Sequence, residues 1–263
     1  MTTMLPVLRP MIRETLRSRW LLALVLGLVA LGELLLRFGG GGPTTLVSLL
    51  DVALIVTPLA GLVVGTMQLH HGREMTELLL AQPVTRGRLF VVLYLGAALP
   101  LALALVIGLL APFAWHGMLA GPGALRVLGL AATAGTLAFI TTAIAFVIAM
   151  RVDDRVRALS VALVAWCITT ILWDGLVLLV ALLLGEHPIE VPLMLMLALN
   201  PVDVARVLLL LGSDAAALLG YTGAMLARLL GTATGRLALL ATLALWILGP
   251  CLAARRVFQQ KDF

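Results

Sequence analysis

The sequence predicts an all-α membrane protein with six transmembrane helices. Hydrophobic residues make up 62% of its 263 residues and charged residues only 12%, whereas a soluble domain carries about 25% charged residues. Only a surface that faces lipid tolerates this excess of apolar side chains. The apolar runs also far exceed the roughly ten residues of a transmembrane strand, which excludes a β-barrel.

Six apolar runs reach the roughly 20 residues that a membrane-spanning helix needs. They are Trp20–Arg37, Leu46–Leu69, Leu89–Phe113, Val127–Met150, Ala158–Leu184 and Arg236–Ala254. The first run lacks a small-residue cleavage pattern, so we expect a span rather than a signal peptide. No internal repeat or low-complexity linker separates the runs, and residues 1–263 are predicted to form one domain.

Basic residues predict the orientation of the chain. They cluster before the first run and after the second, fourth and sixth, at Arg9, Arg13, Arg17, Arg19, Arg73, Arg86, Arg88, Arg151, Arg155, Arg157, Arg255, Arg256 and Lys261. These 13 of the 18 basic residues all fall on one side of a six-span chain. Since positive loops stay inside, we expect a multi-pass inner-membrane protein with both termini in the cytoplasm. The net charge of +5 therefore reflects topology and does not indicate nucleic-acid binding.

The N-terminal segment, residues 1–19, is predicted to be an interfacial helix. Apolar residues recur at every fourth position from Leu8 to Trp20, beside a basic row of arginines. This pattern is typical of an amphipathic helix held at the membrane surface by lipid phosphates. The alternative is a charged segment that only orients the first span.

The segment 185–235, before the last span, is long and apolar but interrupted. Pro188, Pro192, Asn200-Pro201 and Gly212-Ser213-Asp214 divide it into short pieces. We expect interfacial or re-entrant helices there, and an additional pair of spans remains the alternative.

Motifs for catalysis or metal binding are missing from the sequence. It has no phosphate-binding loop of the G-x-x-x-x-G-K-[ST] type, no H-E-x-x-H and no G-x-S-x-G, and its single lysine is Lys261. Cys167 and Cys251 lie in apolar runs. We therefore predict no catalytic residue, no metal site and no cofactor bound by this chain. Met194 and Met196 could offer thioether ligands to copper, but packing is the simpler interpretation.

Three acidic residues lie inside predicted spans, namely Glu33, Asp51 and Asp174. By their distance from the basic loops, all three fall in the outer half of the bilayer, where acidic groups are costly and seldom idle. They are candidates for a polar lining at the outer mouth of a pathway. The alternative is pairing with arginines, and Arg37 lies at the i+4 position from Glu33.

The stretch 70–85, between the second and third spans, reads as a short amphipathic helix. Met75, Leu78 and Leu79 share one helical face, and Arg73, Glu74 and Glu77 cover the rest. Pro83 ends the helix, Thr85 can cap the next one, and Arg86 and Arg88 suit lipid headgroups. A soluble partner that pushed on this face would move both adjoining spans; an ordinary surface loop is the alternative.

The sequence "REMTELLLAQPVTRGRLF" (73–90) resembles the signature of ABC-2-type transporter permeases. The matching residues are Glu74, Thr76, Glu77, Leu78, Leu79, Leu80, Pro83 and Arg86, whereas Met75 stands where the family commonly has glycine. The resemblance implies that 70–85 is a coupling helix, formed by Arg73, Glu74, Met75, Thr76, Glu77, Leu78, Leu79, Pro83 and Arg86, that docks on a separate cytoplasmic ABC ATPase. It also implies that ATP and Mg bind to that ATPase, and that two copies of the permease pair.

"LNPVDVARVLLL" (199–210) and "RRVFQQKDF" (255–263) are further similar to the NosY-type permeases of nitrous oxide reductase maturation. That resemblance implies assembly of a copper–sulfur centre, with movement of a sulfur- or copper-related species. It also implies a periplasmic β-helical partner, which Asn200, Pro201, Asp203 and Arg206 would contact. From the residues alone, Asn200-Pro201 is a helix-start signal, and Asp203 suits the first turn.

Three other functions are compatible with the sequence. They are a generic ABC-2 exporter of a drug, lipid or glycan, a membrane-embedded enzyme, and a scaffold that anchors an ATPase and a periplasmic protein without transport. The cargo distinguishes the first, mutation of the three acidic residues the second, and ATP turnover without translocation the third.

Overall fold

Helices account for nearly all of the structure, a computed structural model that describes residues 5–39, 43–72, 85–121, 123–184, 190–211 and 230–260. Within these ranges no strand occurs. The helices are α1 (Leu5–Leu16), α2 (Arg19–Phe38), α3 (Pro43–His71), α4 (Arg86–Trp115), α5 (Ala124–Arg151), α6 (Arg155–Cys167), α7 (Trp173–Leu184), α8 (Glu190–Leu199), α9 (Pro201–Leu211) and α10 (Ala233–Gln260). A π-helical segment, Ile168–Leu172, joins α6 to α7, and a 3-10 turn, Met118–Ala120, follows α4.

Six helices are long and apolar enough to cross a membrane, as predicted. They are Arg19–Phe38, Thr45–His71, Arg86–Trp115, Ala124–Arg151, Arg155–Leu183 and Ala233–Gln260. The all-α polytopic class is therefore confirmed. The last helix runs six residues beyond the predicted end at Ala254, because Phe258 is fully buried and extends the packed face of the helix.

Successive spans run in opposite directions, so the turns between them lie at two opposite ends of the bundle. We call the end that holds Arg17, Arg86, Arg155 and Arg255 the arginine-rich end. The opposite end, where α2, α4 and α7 finish and α10 begins, is the hairpin end.

α1 ends earlier than predicted. The sequence pattern extends to Trp20, but α1 stops at Leu16, and Ser18 has an extended backbone (φ −58°, ψ 130°) that starts α2. Trp20 therefore belongs to α2, where it is 83% exposed. The location of α1 at a membrane surface stays a prediction.

α4 and α5 form the centre of the bundle. Both are buried along most of their length, and α5 packs against α3, α4 and α10. The span made of α6, the π-helical segment and α7 lies at the periphery, where leucines of α7 such as Leu178, Leu182 and Leu183 are largely exposed. Exposed leucines on a span are what contact with lipid or with another membrane helix requires.

α8 and α9 form a bent pair, with an angle of 111° at a break beside Asn200. At about 1.5 Å per residue, each is about 15 Å long and reaches about halfway across a bilayer core. The break contacts the middle of neighbouring spans, since Asn200 bonds to Thr169 and Ala198 to Trp246. The far end of α9 lies beside the start of α10, where Arg236 donates to Leu211 O at 3.3 Å. The pair thus forms a bent hairpin, and its position in the membrane, re-entrant or interfacial, stays a prediction.

The π-helical segment follows from a local run of β-branched residues, Ile168-Thr169-Thr170-Ile171. Thr169 Oγ1 donates to Ala165 O at 2.9 Å, and Thr170 Oγ1 donates to Trp166 O at 2.6 Å. Such bonds to the preceding turn compete with the backbone ladder and distort a helix. The widened turn is characterised by a bond from Trp173 N–H to Ile168 O, five residues back.

Candidate functional sites at the two ends of the bundle

The predicted coupling segment, 70–85, lies mostly outside the described residues. The predicted coupling residues in the range 73–84 stay predictions; they are Arg73, Glu74, Met75, Thr76, Glu77, Leu78, Leu79 and Pro83. The structure does show what the chain on either side of that range contacts.

A buried aromatic cluster joins the two sides of the segment. Phe90, Tyr94, Phe146 and Phe258 meet there, with ring centroids of Phe90 and Phe258 5.8 Å apart and those of Phe90 and Phe146 6.2 Å apart. Leu69, which precedes the segment, and Leu89, which follows it, belong to the same cluster. Close packing of this kind has low compressibility and transmits strain. The cluster therefore connects the ends of α3, α4, α5 and α10.

Polar contacts fasten α1 to the side that precedes the segment. Gln68 Nε2 donates to Thr15 Oγ1 at 3.0 Å, and Thr15 Oγ1 donates to Met11 O at 2.9 Å. Gly96 of α4 lies against the Met11 side chain, and a Cβ there would sit 2.6 Å from the Met11 sulfur. These contacts make α1 part of the same end of the bundle.

His70 and Arg86 hold the two chain ends nearest the segment. His70 Nε2 lies 3.2 Å from Val152 O, in the loop after α5, and Nδ1 lies 2.9 Å from Thr66 O. Arg86 Nη1 donates to Gln259 O at 3.0 Å, in the last turn of α10. Gly87 makes room for this approach, because a Cβ there would lie 3.1 Å from the Arg255 guanidinium.

The arrangement at the arginine-rich end suits the transfer of force. A displacement of 73–84 would act on α3 and α4 directly, and on α5, α10 and α1 through the aromatic cluster and the polar contacts. Sequence reasoning predicted the first pair only. The contact between α10 and α4 depends on Phe90 and Phe258, which lie far apart in the sequence. A single sequence does not reveal that two such residues are neighbours.

The candidate pathway residues at the hairpin end are partly paired. Glu33 accepts from Arg37 Nε at 2.7 Å, the i+4 pair named as an alternative, and lies 3.0 Å from His116 Nε2. Asp174 accepts two bonds from Arg206 Nη1, at 2.9 and 3.0 Å. These pairings link α2 to the end of α4, and α7 to α9.

Asp51 belongs to the same electrostatic neighbourhood as the second pair, because Arg206 and Asp174 both act on it. Asp51 thus lies within electrostatic range of Asp174 and Arg206, whereas Glu33 pairs with Arg37 and His116. A pathway lining by all three residues stays a prediction.

Three of the four residues predicted to meet a periplasmic partner are buried within the chain. Asn200 is 1% exposed and Asp203 8% exposed, and Pro201 is also buried. Asn200 Oδ1 accepts from Val202 N–H at 3.1 Å, which caps α9 as the helix-start signal suggested. Arg206, the fourth, is paired with Asp174 and with Asp203, whose Oδ1 lies 3.3 Å from Arg206 Nη1. Their contact with a partner remains a prediction.

Sequence reasoning missed the contact between the hairpin and the π-helical segment. Asn200 Nδ2 donates to Thr169 O at 2.8 Å. The run Ile-Thr-Thr-Ile could have drawn attention to a distorted helix, but nothing in one sequence pairs it with Asn200.

Comparisons with known proteins show the family of the chain. Residues 51–263 match the model of the ABC-2 family of transporter proteins. The chain is 30% identical over 231 residues to the "probable ABC transporter permease protein NosY" of Pseudomonas aeruginosa, covering 80% of this chain and 82% of that protein. It is 29% identical over 232 residues to the protein of the same name from Stutzerimonas stutzeri, covering 79% and 81%. The chain belongs to the ABC-2 family of ABC-transporter permeases.

Proposed function

We propose that this permease works with a separate cytoplasmic ATPase that docks on residues 70–85. The observation that carries the proposal is the joint anchoring of both sides of that segment. Leu69 and Leu89 share one aromatic cluster, while His70 and Arg86 bind the ends of α5 and α10. Movement of a partner docked on Met75, Leu78 and Leu79 would reach most of the bundle.

ATP and Mg would bind on the ATPase, since the chain has no phosphate-binding loop. Two permease copies would pair, because an engine of two ATPases needs two docking helices. Closure of the ATPases would then open or close a path between the copies, with Asp51 and Asp174 at its outer mouth. The permease would lie in the inner membrane with its arginine-rich end, and both termini, in the cytoplasm.

The proposed physiological role is assembly of the copper–sulfur centre of nitrous oxide reductase. Two relatives that carry the name NosY, together with the segments 199–210 and 255–263, support it. The transported species would be related to sulfur or copper. A periplasmic β-helical protein would meet the outer surface of the hairpin end. Asn200, Pro201, Asp203 and Arg206 would shape that contact from within the chain, since the first three are buried.

Partners are tested by affinity purification of the tagged chain from mild detergent in its native host, followed by mass spectrometry. We expect an ABC ATPase and a periplasmic β-helical protein. An ATPase alone would favour a generic exporter of a drug, lipid or glycan. Absence of any ATPase from preparations that retain the membrane-embedded chain would contradict the docking proposal.

The physiological role is tested in a host that lacks this chain. We expect nitrous oxide reductase to accumulate without its copper–sulfur centre, measured by copper content and visible absorption of the purified enzyme. The wild-type chain should restore the centre, and a chain with Leu78→Asp and Leu79→Asp should not. A fully loaded reductase in the host without the chain would contradict the role.

A further inference from the structure

The hairpin formed by α8 and α9 meets the fifth span at two polar contacts. One is the bond from Asn200 Nδ2 to Thr169 O, at 2.8 Å. The other is the ion pair between Arg206 and Asp174, at 2.9 and 3.0 Å. Both contacts bring a residue of the hairpin to the π-helical segment or to the first turn of α7.

Asn200 is suited to hold a widened helical turn. Its side chain is 1% exposed and uses both ends, since Oδ1 caps α9 and Nδ2 reaches Thr169 O inside the π-helical segment. A carbonyl in a widened turn is open to a side-chain donor, and a bond to it favours the π form over the regular helix. Thr169 and Thr170 already weaken the regular form by bonding backwards.

α7 has little else to fix its rotation. Several of its leucines are exposed by half or more, including Leu178 at 62%, Leu182 at 71% and Leu183 at 76%. Gly175 has no heavy atom within 4 Å of where its Cβ would be, so the first turn is also open. Within the described residues, apolar packing therefore constrains the rotation of α7 only weakly, through the half-buried side chains at 177, 180 and 181.

We propose that Asn200 and Arg206 are positioning residues that set the rotation of α7 by holding the fifth span in its π-helical form. A π-helical turn accommodates one residue more than the regular helix. Its loss would turn α7 by about 100° relative to α6, the rotation of one residue. The hairpin would thus decide which side of α7 faces lipid or a second copy. This inference concerns the chain alone and does not depend on an ATPase or a cargo.

The test is a nitroxide scan of α7 in lipid nanodiscs, in a background with Cys167→Ser and Cys251→Ser. Single cysteines at positions 176–183 are spin-labelled, and collision with oxygen reports exposure to lipid. In the otherwise wild-type chain, we expect the lowest collision rates with oxygen at 177, 180 and 181, where the side chains are half-buried. The highest rates are expected at 178, 182 and 183.

Two variants weaken the contacts separately, the first by removing the bond to Thr169 O and the second by removing the negative charge that pairs with Arg206. Asn200→Ser keeps a hydroxyl that can cap α9 but cannot reach Thr169 O. Asp174→Asn alters a side chain that is 48% exposed, so the fold should tolerate it. In the Asn200→Ser chain, and in the double variant Asn200→Ser/Asp174→Asn, we expect the pattern of minima to move by one residue. Asp174→Asn alone should broaden the pattern.

The matched control is Ser160→Ala, in the same span, whose hydroxyl bonds only to Val156 O of its own helix, at 3.0 Å. It should leave the pattern in place. An unchanged pattern in the folded double variant would overturn the inference, and so would an equal shift in the Ser160→Ala control. If Asn200→Ser fails to yield folded protein, the Asp174→Asn chain decides, and a pattern as sharp as in the wild type would overturn it.

Discussion

Gly61 sets how closely α3 and α5 approach one another. A methyl group at this position would overlap Thr141 Oγ1 and lie 2.8 Å from Thr141 Cβ. The Thr141 hydroxyl bonds to Leu137 O at 2.8 Å, so the side chain cannot easily turn away. We expect Gly61→Ala to lower the free energy of unfolding by about 1–3 kcal/mol, the usual cost of overpacking.

The matched control for Gly61 is Gly27, which has no heavy atom within 4 Å of its would-be Cβ. Gly27→Ala should be neutral or should stabilise α2 by up to about 1 kcal/mol, because alanine loses less backbone entropy. Unfolding of the purified proteins by a denaturing detergent measures both changes. Equal effects of the two substitutions would contradict the close packing of α3 on α5.

At the scale of elements, the last turn of α10 is the part of the arginine-rich end that the sequence did not reveal. Phe258 is fully buried and its ring lies 5.8 Å from Phe90. Phe258→Ala should cost about 3–5 kcal/mol of unfolding free energy, the range for truncation of a buried phenylalanine. The matched control, Phe38→Ala, removes a ring that is 81% exposed and should change stability by less than about 0.5 kcal/mol. Unfolding by a denaturing detergent measures both changes. A small effect of Phe258→Ala would mean that α10 is not part of the buried aromatic cluster.

Elements were predictable where one physical rule dominated. Length and hydropathy located six spans to within a few residues, because the bilayer imposes both. The end of α10 was missed because its stabilising partner, Phe90, is distant in sequence. The π-helical segment and its bond to Asn200 depend on two distant segments meeting, which neither propensity nor periodicity reports.

Among the site residues, too, features that follow from local spacing were predictable and contacts between distant segments were not. Asn200 as a cap and the Glu33–Arg37 pair follow from local spacing, and the structure shows both. The pairing of Asp174 with Arg206 was anticipated only as pairing with some arginine. Burial of Asn200 and Asp203 could not be predicted, because polar residues at the start of a helix are usually exposed.

At the scale of the whole molecule, the orientation in the membrane is the simplest prediction to test. In a background with Cys167→Ser and Cys251→Ser, Thr85→Cys marks the arginine-rich end and Met118→Cys the hairpin end. Thr85 is exposed, and Met118 is 41% exposed. Since basic loops stay inside, a membrane-impermeant maleimide added to intact spheroplasts should label Met118→Cys and spare Thr85→Cys. The reverse pattern would invert the topology and place 70–85 out of reach of a cytoplasmic ATPase.

The central claim is that residues 70–85 couple this permease to a separate ATPase. The most direct measurement compares how much ATPase co-purifies with the tagged wild-type chain, with the Leu78→Asp/Leu79→Asp chain, and with a Met118→Asp/Leu125→Asp chain. The last is a matched control that makes the same chemical change at exposed apolar residues of the hairpin end. We expect the ATPase to be lost from the Leu78/Leu79 variant alone, while all three chains reach the membrane. Retention of the ATPase by that variant at the wild-type level would contradict the account.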